Sequence, residues 1–326
     1  MIRITLREIA GAKKGEMLNR QKIFLISCSF LLVAWILVGT DSVRAFSRAQ
    51  GGKGIILCST TQIADFTRNI VGDSLEVKCI LAPGADPHTY MPTPKDAQMA
   101  AQAEICIQNG LHLEGKNWMA TLAKDAGKPI VTAAEGVQPL ELDTDGKITT
   151  DPHAWFSPKN AAIYVRNITS ALCEANPSLK WSLESRAKLY LAELRALDSW
   201  IRQMVHIIPV PQRILVTSHD AFNYFAVEYG FRNQAPVGWS TGSEVGGGMT
   251  PSRFKSVVAS IKNLGVKAVF VETSVNPKLI REIAREAGVV IGGELYSDSM
   301  GAEDSAGETY IGMMRENVIT IVGGLK

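Results

Sequence analysis

The sequence predicts an α/β protein of two lobes, each a parallel sheet flanked by helices, joined by one long rigid helix with a cleft between them. Three observations carry the architecture. From residue 54 on, short apolar runs alternate with helix-length segments, the pattern of parallel strands with crossover helices. The alternation restarts after residue 212. Between the two series, residues 177–206 place apolar side chains at steps of three and four without interruption.

In the first lobe, residues 54–59 read as a buried strand and 62–71 as a helix, with Thr60 or Thr61 available as its cap. A strand at 75–81 runs into the loop Pro83-Gly84-Ala85-Asp86-Pro87-His88. Pro94 opens a helix at its first turn, followed by a strand at 104–108, a helix at 118–125 and a strand at 129–132. The series Leu183, Ala187, Tyr190, Leu191, Leu194, Leu197, Ile201, Met204 and Val205 defines the long helix, roughly 45 Å at 1.5 Å per residue. Pro209 and Pro211 stop it. The second lobe begins with a strand at 213–217 and a helix at 221–229. A short apolar segment follows at 235–238, then a helix at 251–264, a strand at 267–272, a helix at 277–287, a strand at 289–292 and a helical region over 303–322. The expected divisions are a leader (1–45), an N-terminal lobe (46–176), the linker helix (177–206) and a C-terminal lobe (207–326).

The length suits two domains of ordinary size. With 46% apolar and 20% charged residues and no low-complexity tract, the composition is globular. The net charge is only +2, and several of the 34 basic residues fall in the first 50 positions, so the folded part offers no basic stripe for nucleic acid. Lys13, Lys14, Arg20 and Lys22 precede an apolar run at 23–39, and Val43-Arg44-Ala45 places small or aliphatic residues at −3 and −1 of a cleavage site. Ser47-Arg48-Ala49 is a weaker site, and Met17 is a candidate true start. A run of about 17 residues is marginal for a membrane span, which leaves an uncleaved anchor as the alternative to a cleaved signal peptide. Cys28 lies too early in the run for lipid attachment. The expected location is the periplasm or another extracytoplasmic space. Cys58, Cys79, Cys106 and Cys173 follow the leader without metal-type spacing. The first three sit in apolar runs and read as buried small hydrophobes. An oxidising compartment would permit one disulfide, for which spacing selects no pair.

The chain has five histidines. Two occur in the repeated phrase Asp86-Pro87-His88 and Asp151-Pro152-His153, and a third in Ser218-His219-Asp220. Asp298 stands in Tyr296-Ser297-Asp298-Ser299-Met300. Imidazole and carboxylate donors together suit a first-row divalent metal. In open parallel sheets, ligands bind beyond the carboxyl ends of the strands. His88, His219 and Asp298 each follow an expected strand, and His153 lies between the first lobe's last clear strand and the long helix, so two donors from each half can face one cleft. Pro87 and Pro152 stiffen the backbone before each imidazole. Taken singly, each phrase also reads as a plain turn, His219 as a helix-entry residue and Asp298 as a cap. Two copies of Asp-Pro-His on an exported bilobal plan favour the metal. His206, at the end of the long helix, reads as structural. So does His112, with a supporting role behind a ligand as its alternative. Gly246-Gly247-Gly248 lacks the phosphate-loop pattern, and no serine stands in a nucleophile elbow.

The chain resembles the metal-binding solute receptors of bacterial ABC importers, the TroA-like zinc and manganese periplasmic binding proteins. The resemblance covers nearly everything after about residue 53. It rests on Pro83-x-x-Asp86-Pro87-His88-x-Tyr90-x-Pro92-x-Pro94, Asn109-Gly110-Leu111-x-Leu113-Glu114, Asp151-Pro152-His153-x-Trp155, Ser218-His219-x-Ala221-Phe222-x-Tyr224-Phe225 and Leu295-Tyr296-Ser297-Asp298. It implies a metal held by His88, His153, His219 and Asp298, delivery to a membrane permease, and no catalysis. A monomer is expected. Relatives devoted to manganese or iron often carry Glu where this chain has His219, so three imidazoles and one carboxylate lean toward zinc. Zinc-dedicated relatives often carry a long His- and acid-rich loop. Here residues 135–150 hold Glu141, Asp143 and Asp145 but no His. The expected cargo is Zn2+ or Mn2+, with Fe2+ less favoured. Two alternatives are a secreted zinc hydrolase and a metal-dependent surface adhesin of the same fold. Three histidines with an open fourth position would serve hydrolysis, but there is no His-Glu-x-x-His helix, and Asp298 would close that position.

Overall fold

The computed structural model describes residues 53–144, 147–233 and 250–326. The leader with its cleavage sites, the apolar segment at 235–238 and the Gly246-Gly247-Gly248 run lie outside the described residues.

Strand β1 (Ile55–Cys58) leads into Thr60, whose hydroxyl accepts the Ile63 N–H and caps α1 (Thr61–Val71). After β2 (Glu76–Cys79), α2 (Pro94–Gln102) starts with Pro in its first turn, and Asp96 accepts the Thr93 N–H at 2.7 Å. Then come β3 (Ile105–Gln108), α3 (Trp118–Asp125) and β4 (Ile130–Thr132). The four strands form one parallel sheet in the order β2-β1-β3-β4, with Ile56 opposite Val77 and Ile105. Each element falls where the sequence placed it, within a residue or two.

The sequence alone left 135–176 without elements, and the structure fills it. Strands β5 (Glu141–Thr144) and β6 (Lys147–Thr150) pair antiparallel. Helix α4 (Pro158–Ala175) buries Ala161, Tyr164, Val165, Ile168 and Leu172 on one face. The long helix is α5 (Lys180–Val205); its expected first turn, Pro177–Leu179, is a 3-10 turn instead. Its stripe of Leu183, Ala187, Tyr190, Leu194, Leu197, Ile201 and Val205 is buried in the main core, against α1 and α4.

In the second half, β7 (Ile214–Leu215), α6 (Asn223–Tyr229) and β8 (Arg232–Asn233) precede α7 (Pro251–Leu264), β9 (Ala268–Glu272), α8 (Lys278–Ala287), β10 (Val290–Leu295) and α9 (Tyr310–Leu325). β7 pairs parallel with β8, and β9 pairs parallel with β10. The Phe270 N–H donates to Val216 O at 2.8 Å and so joins β9 to the end of β7. A second core of Val216, Val257, Ile261, Val269, Val271, Ile280 and Ile283 lies on the α7–α8 side of this layer. The helix α9 packs on α5 and belongs to the main core through Tyr310, Met313, Val318 and Ile321. Residues 55–326 therefore make one compact unit. The four described cysteines are free thiols, and burial pushes those of Cys58, Cys79 and Cys106 upward, away from the reactive thiolate. No helix of the described residues is long and apolar enough to cross a membrane.

Candidate metal centre

The loop after β2 sets His88. Asp86 accepts the His88 N–H at 2.8 Å through one carboxylate oxygen and the Thr89 hydroxyl at 2.8 Å through the other, a side-chain-closed turn. Trp118 donates its indole N–H to Pro87 O at 3.0 Å. Beneath the loop, Gly110, Leu111 and His112 all adopt left-handed φ (87°, 54° and 66°). Buried Glu114 holds that turn by accepting the Asn109 N–H at 2.6 Å, the Gly110 N–H at 3.1 Å and the Ser59 hydroxyl at 2.8 Å. The turn delivers Gly115, where an added Cβ would lie 2.2 Å from His88 O. His112 itself is exposed and takes no part in the cluster. His206 closes the end of α5 with Nδ1 on Arg202 O, the structural role expected of it.

His153 and His219 are presented in parallel ways. Each immediately precedes a short 3-10 turn, Ala154–Phe156 and Asp220–Phe222. The last residues of these turns, Phe156 and Phe222, stack with ring centroids 4.2 Å apart. Each imidazole is also gripped by a buried carboxylate. Asp151 accepts the His153 N–H at 2.9 Å and lies 2.8 Å from its Nδ1. Glu272, at the end of β9, accepts the His219 N–H at 2.9 Å and lies 2.6 Å from its Nδ1. The two Asp-Pro-His phrases thus differ in use: Asp86 closes a turn, whereas Asp151 holds a ring. Neither Glu114 nor Glu272 was singled out from the sequence as a support. The motif Asn109-Gly110-Leu111-x-Leu113-Glu114 carried a signal for the first, while a lone Glu ending an apolar strand carried none for the second.

Asp298 follows β10, yet its loop is held by the first half. Gln62 Nε2 donates to Ser297 O at 3.1 Å, the Met300 N–H donates to Thr61 Oγ1 at 2.8 Å, and the Gly84 N–H donates to Ser299 Oγ at 2.7 Å.

The structure brings His88, His153, His219 and Asp298 together, with one donor atom from each within 4.8 Å of all the others. The Nε2 atoms of His88 and His153 are 3.3 Å apart. Asp298 Oδ1 lies 3.2 Å from His153 Nε2, and Oδ2 lies 3.2 Å from His219 Nε2 and 3.8 Å from His88 Nε2. Four donors each 2.0–2.1 Å from one ion in a tetrahedron stand roughly 3.3–3.4 Å apart, so this spacing fits a first-row divalent cation. Both Asp298 oxygens, both His219 ring nitrogens and Glu272 Oε2 are buried without a hydrogen-bond partner, and of these the Asp298 oxygens and His219 Nε2 face the cluster, where an ion would satisfy them.

The electrostatics agree. Burial pushes the His88 imidazole down to about 4, against the pull of Asp298. Burial also opposes charge on His153, but Asp151 and Asp298 outweigh it and raise that imidazole to about 9. At His219 burial is likewise outweighed, by Glu272 and Asp298, and the imidazole rises well above its ordinary value. Asp298 stays well below the usual carboxylate range because His219 and His153 overcome its burial. The centre demands positive charge, and it is rigidly held.

Converging imidazole and carboxylate donors on an α/β scaffold suit the binding of a small cation. The chain matches, over residues 56–324, the model of the family described as ZnuA, zinc-uptake complex component A periplasmic, and it belongs to that family. It is 37% identical to the manganese-binding lipoprotein MntA of Halalkalibacterium halodurans, over 85% of this chain and 90% of that one. It is 36% identical to the manganese-binding lipoprotein MntA of Bacillus subtilis, over 90% and 99% of the two chains. Among solved structures, the periplasmic zinc binding protein TroA from Treponema pallidum superposes with a TM-score of 0.77 at 32% identity, covering 84% of this chain and 99% of that one. Members of the family are substrate-binding proteins of transporters, not enzymes, and the hydrolase alternative finds no support.

Proposed function

We propose that this chain captures a divalent transition metal, zinc or manganese, outside the cytoplasm and hands it to the membrane permease of an ABC importer, with His88, His153, His219 and Asp298 as the ligands. The observation that carries the ligand set is the convergence of four donors from four separate loops within 4.8 Å, three of them buried. The family and its lipoprotein and periplasmic members support an extracytoplasmic site of action and a permease partner. The leader at 1–45 is the route of export, and the protein works as a monomer without nucleic acid. The lobes are 46–176 and 207–326, joined by 177–206.

Capture uses a pre-formed centre, which limits the ordering cost of binding. His88, the most exposed ligand, marks the side of entry. For release, the permease loosens the layer that carries His219 and Glu272. Asp298 stays with the first half, because Thr61, Gln62 and Gly84 hold its loop. The embedded α5 keeps this movement local.

The test is elemental analysis of residues 46–326 purified without chelator, beside His88→Ala and Asp298→Ala. One equivalent of zinc or manganese in the unaltered protein, lost in both variants, is the expected result. Absence of metal, with no uptake on titration, would refute the reading.

A further inference from the structure

Export exposes thiols to oxidation, and the first sheet sets two of the four described cysteines side by side. Cys58 on β1 pairs directly with Cys79 on β2 in the parallel register of the two strands. Residues opposite each other on neighbouring parallel strands point to the same face, with backbones about 4.8 Å apart. Here that face is the one under α1: Cys58 belongs to the main core, and Cys79 packs against it. We infer that Cys58 and Cys79 are joined by a disulfide in the mature protein, a covalent clasp between β1 and the strand that leads to His88. The inference rests on the extracytoplasmic site of action and on nothing about the cargo.

The geometry selects this pair from the others. A disulfide needs Cα atoms roughly 4.4–6.8 Å apart with side chains on the same side, and adjacent strands supply both. Cys106 sits on β3 opposite Leu57 and faces the other side of the sheet, in the core beneath α2 and α3. Cys173 lies near the end of α4, with its Sγ 3.9 Å from Lys180 O. The present partners of the two thiols are weak S–H contacts: Cys58 Sγ meets Thr67 Oγ1 at 3.5 Å, and Cys79 Sγ meets Leu81 O at 3.1 Å and Ser59 O at 3.9 Å. A rotation of each side chain exchanges them for an S–S bond. Strand β2 is the edge of the sheet, so it can shift toward β1 without disturbing another strand.

Burial raises both thiols in the folded protein, Cys79 to about 12. The bond therefore forms before the sheet is complete, while the thiols are near their ordinary value of about 8.5. Roughly twenty residues separate them in sequence, a short loop to close. The oxidant is a protein or small-molecule disulfide of the extracytoplasmic space. One cysteine thiolate attacks it, forming a mixed disulfide and expelling a thiolate; the second cysteine thiolate attacks the mixed disulfide and expels the other. The two cysteines lose two protons and two electrons, and the donor disulfide takes them up as two thiols. The clasp acts next to the metal centre, because the N–H groups of Ile80 and Leu81 continue the pairing onto Cys58 O at 2.9 Å and Ser59 O at 3.2 Å, up to the start of the His88 loop.

The test is peptide mapping of the protein purified from its native compartment, alkylated with iodoacetamide in denaturant without reductant and cut with trypsin. Cleavage after Lys53, Arg68, Lys78 and Lys95 places the two cysteines in peptides 54–68 and 79–95. We expect these peptides as one joined species, lighter by two hydrogens than the free pair and separated by reduction, with Cys106 and Cys173 alkylated. Protein that is reduced, unfolded and then refolded in oxidised glutathione should regain the same species. Alkylated Cys58 and Cys79 in the native protein would overturn the inference, as would a bond from either to Cys106 or Cys173. If the two are alkylated, the refolding arm locates the fault: a joined pair there counts against the extracytoplasmic reading, and free thiols count against the pairing itself. Metal titration of the same preparation tests the capture reading separately.

Discussion

Thr61 Oγ1, in the first turn of α1, accepts the backbone N–H of Met300 at 2.8 Å across 239 residues of sequence. With Gln62 on Ser297 O, this clamps the Asp298 loop from both sides. Gln62→Ala removes one jaw without touching a ligand. We expect a loss of about 1 kcal/mol in stability and a several-fold drop in metal affinity, checked by chemical denaturation of the metal-free protein and by metal titration. Unchanged affinity would show that Asp298 needs no help from α1.

Gly115→Ala tests the support under His88. The new Cβ would lie 2.2 Å from His88 O, at a φ of 46° that L-residues adopt reluctantly. The backbone strain costs about 1 kcal/mol or more, and the displaced carbonyl moves the imidazole. Metal affinity should fall at least about tenfold, since second-layer changes at metal sites typically cost 10–100-fold. A variant that binds as the original does would mean that the His88 loop adapts.

Metal uptake should release protons. At neutral pH the metal-free centre holds protons on His153, raised to about 9, and on His219, raised well above its ordinary value, while His88 at about 4 is already neutral. Ligation requires free imidazole nitrogen, so loading should expel about two protons per ion near pH 7. Calorimetric titrations in buffers of different ionisation enthalpy measure that number, and affinity should decline as the pH is lowered. Proton release near zero would contradict these charge states.

Asp65 makes stability depend on pH away from the metal. Burial raises its carboxyl from 3.8 to about 6, against hydrogen bonds from the Tyr310 N–H and the Tyr190 hydroxyl. A carboxyl raised on folding binds its proton more tightly in the native state. Its contribution is therefore complete below about pH 4 and is lost as the pH rises through about 6. Asp65→Asn removes that loss, so relative to the original protein it should gain on the order of 2–3 kcal/mol between pH 4 and pH 7. Urea midpoints of both proteins at the two pH values decide it; a constant difference would show that Asp65 titrates normally.

The proposed ligands stood out in the sequence because histidine is scarce here and two of the three follow Asp-Pro. Alternating apolar runs likewise gave the first-half strands and helices to within a residue or two, whereas β10 (Val290–Leu295) runs past its expected end at 292 and α9 (Tyr310–Leu325) starts well after the expected 303. Helix α4 escaped although Tyr164, Val165, Ile168 and Leu172 keep helical spacing, because its N-terminus lies directly after the His153 segment and reads as its continuation. Glu272 escaped for a different reason: its role arises from β9 lying beside β7, a contact between residues 53 apart that no local pattern encodes. The differing duties of Asp86 and Asp151 were masked by the Pro-His that follows each; the phrases part at the next residue, Thr89 against Ala154, of which only Thr89 has a hydroxyl to occupy the aspartate.

The 26-residue helix α5 lies with its apolar stripe inside the main core rather than spanning open solvent. Loaded and empty forms of the protein will then cast nearly the same outline, and their small-angle scattering will be hard to tell apart. A transporter that must avoid futile cycles with empty carriers cannot sort them by silhouette. On the proposed release it has to read a few ångströms of movement in the layer that carries His219, so the message that cargo is aboard is written in texture rather than in shape.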